Sequence, residues 1–221
     1  MERRYDVITF DCYGTLIDWE SGIATAFQRA AREDGIRLDA GEVLREYARS
    51  EPVVERERYR PYRDVLTETA ARVAHALGWP LAYERATFLV SSMRHWMPFP
   101  DTNPALERLR AAGYKLGILS NVDDDLLNAT RRHLTISFDV IVTAQQTRSY
   151  KPASGHFLAA RQWIGDERWL HAAQSNYHDI VPANALGIPT AWVNRRNQTA
   201  LDGGTPAYEV RDMAALAELL A

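Results

Sequence analysis

The sequence predicts an α/β fold, a Rossmann-like parallel sheet with a helical cap domain inserted after its first strand. Strand-like apolar runs alternate with helical stretches in the C-terminal part, and this alternation is typical of parallel strands joined by crossover helices. The first strand, in contrast, precedes a long stretch of helical patterns that holds no convincing strand. The predicted strands are residues 5–10, 115–119, 138–143, 169–173 and 190–193, and the predicted helices between them are 102–112, 124–134 and 155–164.

The inserted stretch, residues 17–96, has the pattern of four amphipathic helices. The segment Asp39-Ala40-Gly41-Glu42 resembles a capping box, which predicts that a helix begins there. Prolines at positions 52, 61 and 80 separate the helical patterns. We therefore predict an α/β core of residues 1–16 and 97–221 and a helical cap of residues 17–96.

Composition and charge argue against several classes of function. The 221 residues are 46% apolar and 25% charged, which is the composition of an ordinary globular protein. A formal net charge of −3 offers no basic surface for nucleic acid, and no apolar run approaches the roughly 18 residues of a membrane helix. The single cysteine, Cys12, excludes an internal disulfide, and no signal-peptide pattern is visible, so we expect a cytoplasmic protein.

The first predicted strand ends in an aspartate, Asp11, at a position suited to chemistry. Ligands of parallel α/β sheets bind beyond the carboxyl ends of the strands, and Gly14 permits a tight turn there. Thr15 follows the aspartate by four residues. The structural alternative is an Asx turn, in which Asp11 only closes the end of the strand.

Polar residues follow three further predicted strands. Each has a structural alternative, because Ser120 and Asp179 could each cap a helix and Lys151 could be a surface lysine before a proline. Their order along the chain, each after a strand, instead predicts one site at the carboxyl edge of the sheet. The residues concerned are Ser120, Asn121, Lys151, Gln174, Asn176 and Asp179.

At these four segments the chain resembles the haloacid dehalogenase superfamily, and the resemblance extends over essentially its whole length. Phosphatases of that superfamily carry Asp-x-Asp, in which the second aspartate protonates the leaving group. This chain has Tyr13 at that position, and a tyrosine, with a reference pKa of about 10, is a poor proton donor near neutral pH. A leaving halide needs no proton, so Asp-x-Tyr-Gly-Thr resembles the L-2-haloacid dehalogenases of type II.

The resemblance implies hydrolysis of short 2-haloalkanoic acids to 2-hydroxy acids through an ester of Asp11. Asp11 would displace the halide, and water would then release the product. Lys151 would keep the Asp11 carboxylate ionised, and Thr15 would hydrogen-bond beside it. Asn176 and Asp179 match the family residues that position or activate the water and orient Lys151.

Further positions match substrate-binding residues of the family. Ser120 would bind the substrate carboxylate together with backbone amides near Cys12 and Tyr13. Asn121 would help to receive the departing halide. The resemblance therefore predicts that the anionic substrate lies beside the turn that follows the first strand.

Three positions depart from the family pattern. Arg45 lies near the place of the cap arginine that helps to bind the halide, but it could instead pair with Glu42 on a solvated helix face. Phe157 stands where family members have a tyrosine, so that hydroxyl is missing. Gln174 replaces a serine and keeps a side chain that can hydrogen-bond to the substrate.

The resemblance implies no metal and no other cofactor, because Gln174 stands where phosphatases place the first acid that binds magnesium. We expect a small halogenated carboxylate as the ligand, and the sequence leaves a homodimer open. Two other functions also stay open. One is a magnesium-dependent phosphatase acting on a small phosphate monoester, with the Tyr13 carbonyl and Asp11 as ligands. The other is a catalytically silent binding protein that keeps the fold.

Overall fold

The computed structural model describes residues 3–221, and within them six parallel strands form one sheet. The strand order is β3-β2-β1-β4-β5-β6, which places β1 at the centre between β2 and β4. This arrangement confirms the predicted α/β fold with a parallel sheet. The strands are β1 (Val7–Phe10), β2 (Lys115–Ser120), β3 (Val140–Thr143), β4 (Trp169–Ala173), β5 (Thr190–Val193) and β6 (Tyr208–Val210).

The last strand, β6, is the one strand of the described sheet that the sequence analysis missed. It is three residues long and lies at the edge of the sheet, where only β5 pairs with it. None of its residues is fully buried, and Glu209 at its centre is exposed. A short edge strand of this kind lacks the apolar run by which the other five strands can be predicted.

The described residues divide into two compact units. One contains the sheet and consists of the described residues up to Asp18 together with Pro98–Asn121 and Arg132–Ala221. We call it the core unit. The other, the helical unit, consists of Trp19–Met97 and Val122–Arg131. No helix within residues 3–221 has both the length and the apolar character needed to cross a bilayer.

The core unit buries its sheet beneath helices. All four residues of β1 are buried, and Val7 belongs to an apolar cluster with Phe157 and Trp169. Burial of this kind accounts for the continuous apolar pattern of the central strand. The helices of this unit are α5 (Thr102–Ala111), α7 (Ala144–Thr147), α8 (Gly155–Ile164), α9 (Val181–Ala185) and α10 (Met213–Leu220), and a π-helical turn, Asn176–Ile180, precedes α9.

The helical unit is built around aromatic and aliphatic side chains. Phe27 meets Phe88 edge to face, with ring centroids 5.0 Å apart, and Trp79 packs beside both rings. Asp39 is the N-cap of the second helix and accepts a 2.9 Å hydrogen bond from the Glu42 amide, as the sequence predicts. The helices are α1 (Trp19–Glu33), α2 (Ala40–Glu55), α3 (Tyr62–Ala76), α4 (Phe88–Ser92) and α6 (Asp124–Thr130), with 3-10 turns at Tyr83–Thr87 and Met93–His95.

Residues 122–131, which the sequence analysis counted with the sheet, group with the helical unit. Asp123 is one link between this segment and α3, because its buried carboxylate accepts hydrogen bonds from the backbone amides of Tyr62 and Arg63 at 2.9 and 3.0 Å. These are two of the amides at the start of α3 that have no partner within the helix. A side chain distant in sequence therefore caps α3, and no local pattern around Tyr62 could have predicted it.

Candidate active site

Asp11 lies directly after β1 with its side chain buried. Its Oδ1 accepts a 2.9 Å hydrogen bond from Lys151 Nζ, and its Oδ2 accepts one of the same length from the Thr15 hydroxyl. Gly14, with φ at 101°, takes the backbone through the turn that brings Thr15 back to the carboxylate. Each carboxylate oxygen keeps a lone pair that can attack a carbon atom.

Lys151 is buried, with 1% of its surface exposed, so the surface-lysine alternative does not hold. Its ammonium donates to Asp11 Oδ1 at 2.9 Å, to Asp179 Oδ1 at 2.6 Å and to the Leu119 carbonyl at 2.8 Å. An ammonium has three protons, and these three acceptors use all of them. Lys151 therefore links the residue after β1 to the π-helical turn after β4.

Two carboxylates share this one buried ammonium, and they differ in their tendency to ionise. Burial raises the pKa of Asp11, and the charge of Asp179 adds to that effect, while Lys151 and Thr15 oppose it. Burial also disfavours the charge on Asp179, but Lys151 and a hydrogen bond from His171 hold the pKa of Asp179 well below its usual range. Lys151 favours the ionised form of Asp11, but burial is the larger effect, so the pKa of Asp11 is raised overall.

Thr15 connects Asp11 to the segment after β4. Its hydroxyl donates to Asp11 and accepts a 2.9 Å hydrogen bond from the backbone amide of Gln174. The Gln174 side chain lies 3.4 Å from Gln198, so its contact with this cluster runs through the backbone. Arg195, which the sequence analysis did not consider, donates to the Thr15 carbonyl at 2.9 Å. Two hydrogen bonds to Thr15, one from the Gln174 amide and one from the Arg195 guanidinium, therefore fix the turn that follows Asp11.

Ser120 and Asn121 end β2 and differ in how their side chains are used. The Ser120 hydroxyl is buried and has no hydrogen-bond partner among the described residues, and the N-cap of α6 is Asp123 rather than Ser120. The Asn121 amide makes two hydrogen bonds with the backbone of Lys151, at 2.7 Å to its N–H and 3.0 Å to its carbonyl. Asn121 therefore fixes the backbone that carries the buried lysine.

Asn176 and Asp179 lie in the π-helical turn Asn176–Ile180. The Asn176 side chain accepts from the Leu201 amide at 3.1 Å and donates to the Gly204 carbonyl at 2.9 Å. A Cβ at Gly204 would lie 1.9 Å from Asn176 Oδ1, so only glycine permits this close approach. Asp179 uses Oδ1 for two contacts, whereas its buried Oδ2 has no hydrogen-bond partner among the described residues.

Asp179 has a further neighbour that the sequence analysis missed, His171 in β4. His171 Nε2 lies 3.0 Å from Asp179 Oδ1, and its Nδ1 lies 2.8 Å from the hydroxyl of Thr9 in β1. Both residues are fully buried. The available signal was the occurrence of polar residues at the centres of two strands that are otherwise apolar.

The remaining predicted residues are Cys12, Tyr13 and Arg45. Cys12 is a buried thiol whose carbonyl accepts from the amides that close the turn, and Tyr13 is half-buried. Arg45 belongs to α2 in the helical unit, where 63% of its side chain is exposed and its guanidinium lies 4.0 Å from Glu42. This is the solvated pair that the sequence analysis left open as the alternative for Arg45.

No cluster of three or more His, Cys, Asp or Glu side chains that could hold a metal ion is found within residues 3–221. Between Asp11 and Asp179 the structure places the ammonium of Lys151. A cation thus already lies between the two carboxylates. Chemically, the described residues offer a buried carboxylate at Asp11, a hydroxyl at Ser120 without a hydrogen-bond partner and a carboxylate oxygen of Asp179 without one.

Comparisons with known proteins identify the family to which the chain belongs and solved structures that share its fold. The family model of haloacid dehalogenase-like hydrolases matches residues 5–181. An (S)-2-haloacid dehalogenase of Pseudomonas putida is 30% identical over 222 residues, which cover 96% of each chain. The crystal structure of an L-2-haloacid dehalogenase has a TM-score of 0.87 with 24% identity, covering 98% of each chain. That of a defluorinating L-2-haloacid dehalogenase has a TM-score of 0.83 with 25% identity, covering 98% of this chain and 95% of that one.

Proposed function

The chain belongs to the haloacid dehalogenase-like hydrolases, and we propose that it hydrolyses short 2-haloalkanoic acids to 2-hydroxy acids without a metal. The observation that carries this proposal is the arrangement of Asp11, a buried carboxylate whose counter-charge is the Lys151 ammonium. A carboxylate held in this way can attack an electrophilic carbon. Since Tyr13 follows where a phosphatase needs its acid, the site suits a leaving group that needs no proton.

In the first step, Asp11 attacks the carbon that bears the halogen. A bond forms between a carboxylate oxygen and that carbon, and the carbon–halogen bond breaks with its electron pair leaving on the halide. The uncommitted hydroxyl of Ser120 is the group we assign to the substrate carboxylate. Asn121 is already bonded to the Lys151 backbone but keeps a second amide proton for a halide.

In the second step, water hydrolyses the Asp11 ester and releases the 2-hydroxy acid. We assign Asp179 as the base for that water, because Oδ2 is buried and carries no other hydrogen bond among the described residues. Asn176 supports the site indirectly in this scheme, by fixing the loop at Leu201–Gly204. Thr15 and Lys151 hold the Asp11 carboxylate in one orientation through both steps.

The proposal is tested by measuring halide release from chloroacetate, bromoacetate, fluoroacetate and both enantiomers of 2-chloropropionate. We expect release from at least one of these acids, unchanged by excess EDTA. A single turnover in water labelled with oxygen-18 should place the label in Asp11 rather than in the product, since water attacks the ester carbonyl. Strict magnesium dependence together with hydrolysis of p-nitrophenyl phosphate would overturn the proposal in favour of a phosphatase.

The enzyme proposed here is cytoplasmic, an inference that rests on its single buried cysteine. Whether it acts as a homodimer is a question for light scattering at working concentration. Neither point alters the chemistry above, because every residue assigned to the two steps belongs to the core unit.

A further inference from the structure

We propose that His171 is a positioning residue for ester hydrolysis. In the neutral form, with its proton on Nε2, it donates to Oδ1 of Asp179 and leaves Oδ2 to accept the proton of the attacking water. This inference rests on the proposed function and deepens it. It adds Thr9, Trp169 and His171, three residues that lie before the ends of β1 and β4.

The register of the two central strands brings these three residues together. Thr9 of β1 is the pairing partner of His171 in β4, and Trp169 precedes His171 by two residues. Side chains two apart along a strand lie on the same face of the sheet, so Trp169 and His171 share a face with Thr9. Asp11 is two residues beyond Thr9 and continues the same row toward the strand end.

Hydrogen-bond chemistry fixes the direction of the protons in this row. The Trp169 indole can only donate, and it donates to the Thr9 hydroxyl at 2.7 Å. With one of its lone pairs occupied in this way, the Thr9 hydroxyl donates its own hydrogen bond to His171 Nδ1, at 2.8 Å. A neutral imidazole that accepts at Nδ1 carries its proton on Nε2, which faces Asp179 at 3.0 Å.

A charged imidazole fits this arrangement less well. It would donate at both nitrogens, so Thr9 would accept from His171 and from Trp169 together. The threonine proton would then lack an acceptor among the described hydrogen bonds, at a fully buried position. The neutral form satisfies every donor and acceptor of Trp169, Thr9 and His171.

Among the described contacts of His171, Asp179 is the charged partner. Phe157 of α8 meets the imidazole edge to face, with ring centroids 5.1 Å apart. Its neighbour His156 points Nε2 to the Ser120 carbonyl at 3.1 Å, and burial together with Lys151 lowers the pKa of His156 to about 3. The charged groups facing His171 are therefore Asp179 and, through it, Lys151 and Asp11.

The two donors on Asp179 Oδ1 decide which oxygen is free. Lys151 and His171 both point at Oδ1, at 2.6 and 3.0 Å, and Oδ2 keeps its lone pairs. During hydrolysis the water oxygen bonds to the Asp11 carbonyl carbon, and one water proton moves to Oδ2. The bond from that carbon to the substrate oxygen then breaks, and the substrate oxygen takes the proton from Oδ2. The second water proton remains on the regenerated Asp11 carboxyl group and is then released to solvent.

Substitution of the imidazole separates the two chemical steps. With chloroacetate, His171→Phe should release one equivalent of halide rapidly and then turn over about 10- to 100-fold more slowly, the value of one hydrogen bond to a charged group. The Asp11 ester should accumulate and be detectable by mass spectrometry of the intact protein. His171→Gln, whose amide can still donate to Asp179, should recover most of the rate. Wild-type ester hydrolysis in His171→Phe would overturn the proposal.

A milder pair of variants guards against loss of folding. Thr9→Val removes the hydroxyl between Trp169 and His171 without changing the side-chain shape, and should slow ester hydrolysis but not halide release. Thr69→Val is the matched control, because Thr69 is also fully buried but lies in the helical unit, and its hydroxyl has no hydrogen-bond partner within residues 3–221. It should leave both steps unchanged. Equal effects of the two variants would overturn the role of Thr9.

The proton position itself is measured on the wild-type protein. A nitrogen-15 spectrum of the imidazole at pH 7 should show one protonated nitrogen, Nε2, for His171. Protonation of both nitrogens would overturn the proposal whatever the kinetics. Failure of the wild-type enzyme to release halide from any haloacid would instead overturn the proposed function, and it is recognised by the absence of the first step, which His171 does not influence.

Discussion

Each unit holds a carboxylate that accepts two hydrogen bonds on one oxygen, but the donors differ. In the core unit, Asp179 Oδ1 accepts from the ammonium of Lys151 and from His171. In the helical unit, Glu51 Oε1 accepts from the phenols of Tyr47 and Tyr62 at 2.7 and 2.6 Å. The same geometry thus joins a carboxylate to a cation in one unit and to neutral donors in the other.

This difference in donors shifts the pKa values of the two carboxyl groups in opposite directions. Lys151 and His171 overcome the effect of burial and hold the pKa of Asp179 well below its usual range. Burial raises the pKa of Glu51, and its two phenols do not offset that rise. In the core cluster the second oxygen of Asp179, Oδ2, is buried without a hydrogen-bond partner among the described residues, and so is the hydroxyl of Ser120 at the end of β2. A shared cation with uncommitted neighbours indicates a reaction site, whereas the Glu51 cluster joins α2 to α3.

The largest expected effect comes from removing Asp11, the nucleophile we propose. Asp11→Asn keeps the shape of the side chain. Its amide oxygen can still accept from Lys151 and its NH2 group can donate to the Thr15 hydroxyl, so the thermal midpoint should change little. Halide release should fall on the order of 10³-fold or more, because an amide does not form the ester intermediate. Halide release above a tenth of the wild-type rate would remove Asp11 from this role and, with it, the contrast between the two units.

The next effect in size is that of the shared cation. Lys151→Met keeps the length of the side chain but leaves Asp11 and Asp179 buried without a counter-charge, which destabilises the fold by about 3–5 kcal/mol. Without the ammonium the pKa of Asp11 should rise further. Since Asp11 must be ionised to attack, the acid limb of the pH–rate profile should move to higher pH. Affinity for the anionic substrate should fall as well.

Lys115→Met is the matched control for that variant. Lys115 pairs with Glu167 at 2.5 Å, but 49% of its side chain is exposed to solvent. An exposed pair contributes about 0–1 kcal/mol, so this variant should keep both its thermal midpoint and its pH–rate profile. If the two lysine variants gave the same profile, the burial of Lys151 would have no catalytic significance.

Five of the six strands, and the polar residues that follow four of them, could be predicted from the sequence, because apolar runs and the polar residues after them are local signals. The hydrogen bond between Thr9 and His171 could not be predicted, because these residues are 162 positions apart and meet only through the register of β1 with β4. Nor could the sequence show that the Asn121 amide holds the Lys151 backbone. Those pairings depend on distances across the sheet, which no periodic pattern encodes.

A smaller effect, on stability alone, is expected at Glu51. A carboxyl whose pKa is raised in the folded protein binds its proton more tightly there, so stability falls as the pH rises above the ordinary value of 4.5. Glu51→Gln cannot ionise and its carbonyl can still accept from both phenols. Thermal melts from pH 4 to 8 should therefore show a flatter profile and no loss of stability at pH 7. A marked loss at pH 7 would mean that the charge of Glu51 is needed.

The smallest effect is expected from substituting Arg45, whose charge is exposed to solvent, unlike the buried charge of Lys151. Its side chain is 63% exposed and lies 4.0 Å from Glu42, while Arg49 on the same helix is 72% exposed and lies 2.6 Å from Glu46. Pairs of this type contribute about 0.2–0.5 kcal/mol, so Arg45→Ala and Arg49→Ala should each shift the thermal midpoint by about 1–2 °C at most. Neither arginine is buried against a carboxylate as Lys151 is, and we expect halide release within about twofold of wild type for both. A tenfold fall in Arg45→Ala alone would assign the halide to Arg45, as the family resemblance implies, and would show that an exposed cation can take part in this chemistry.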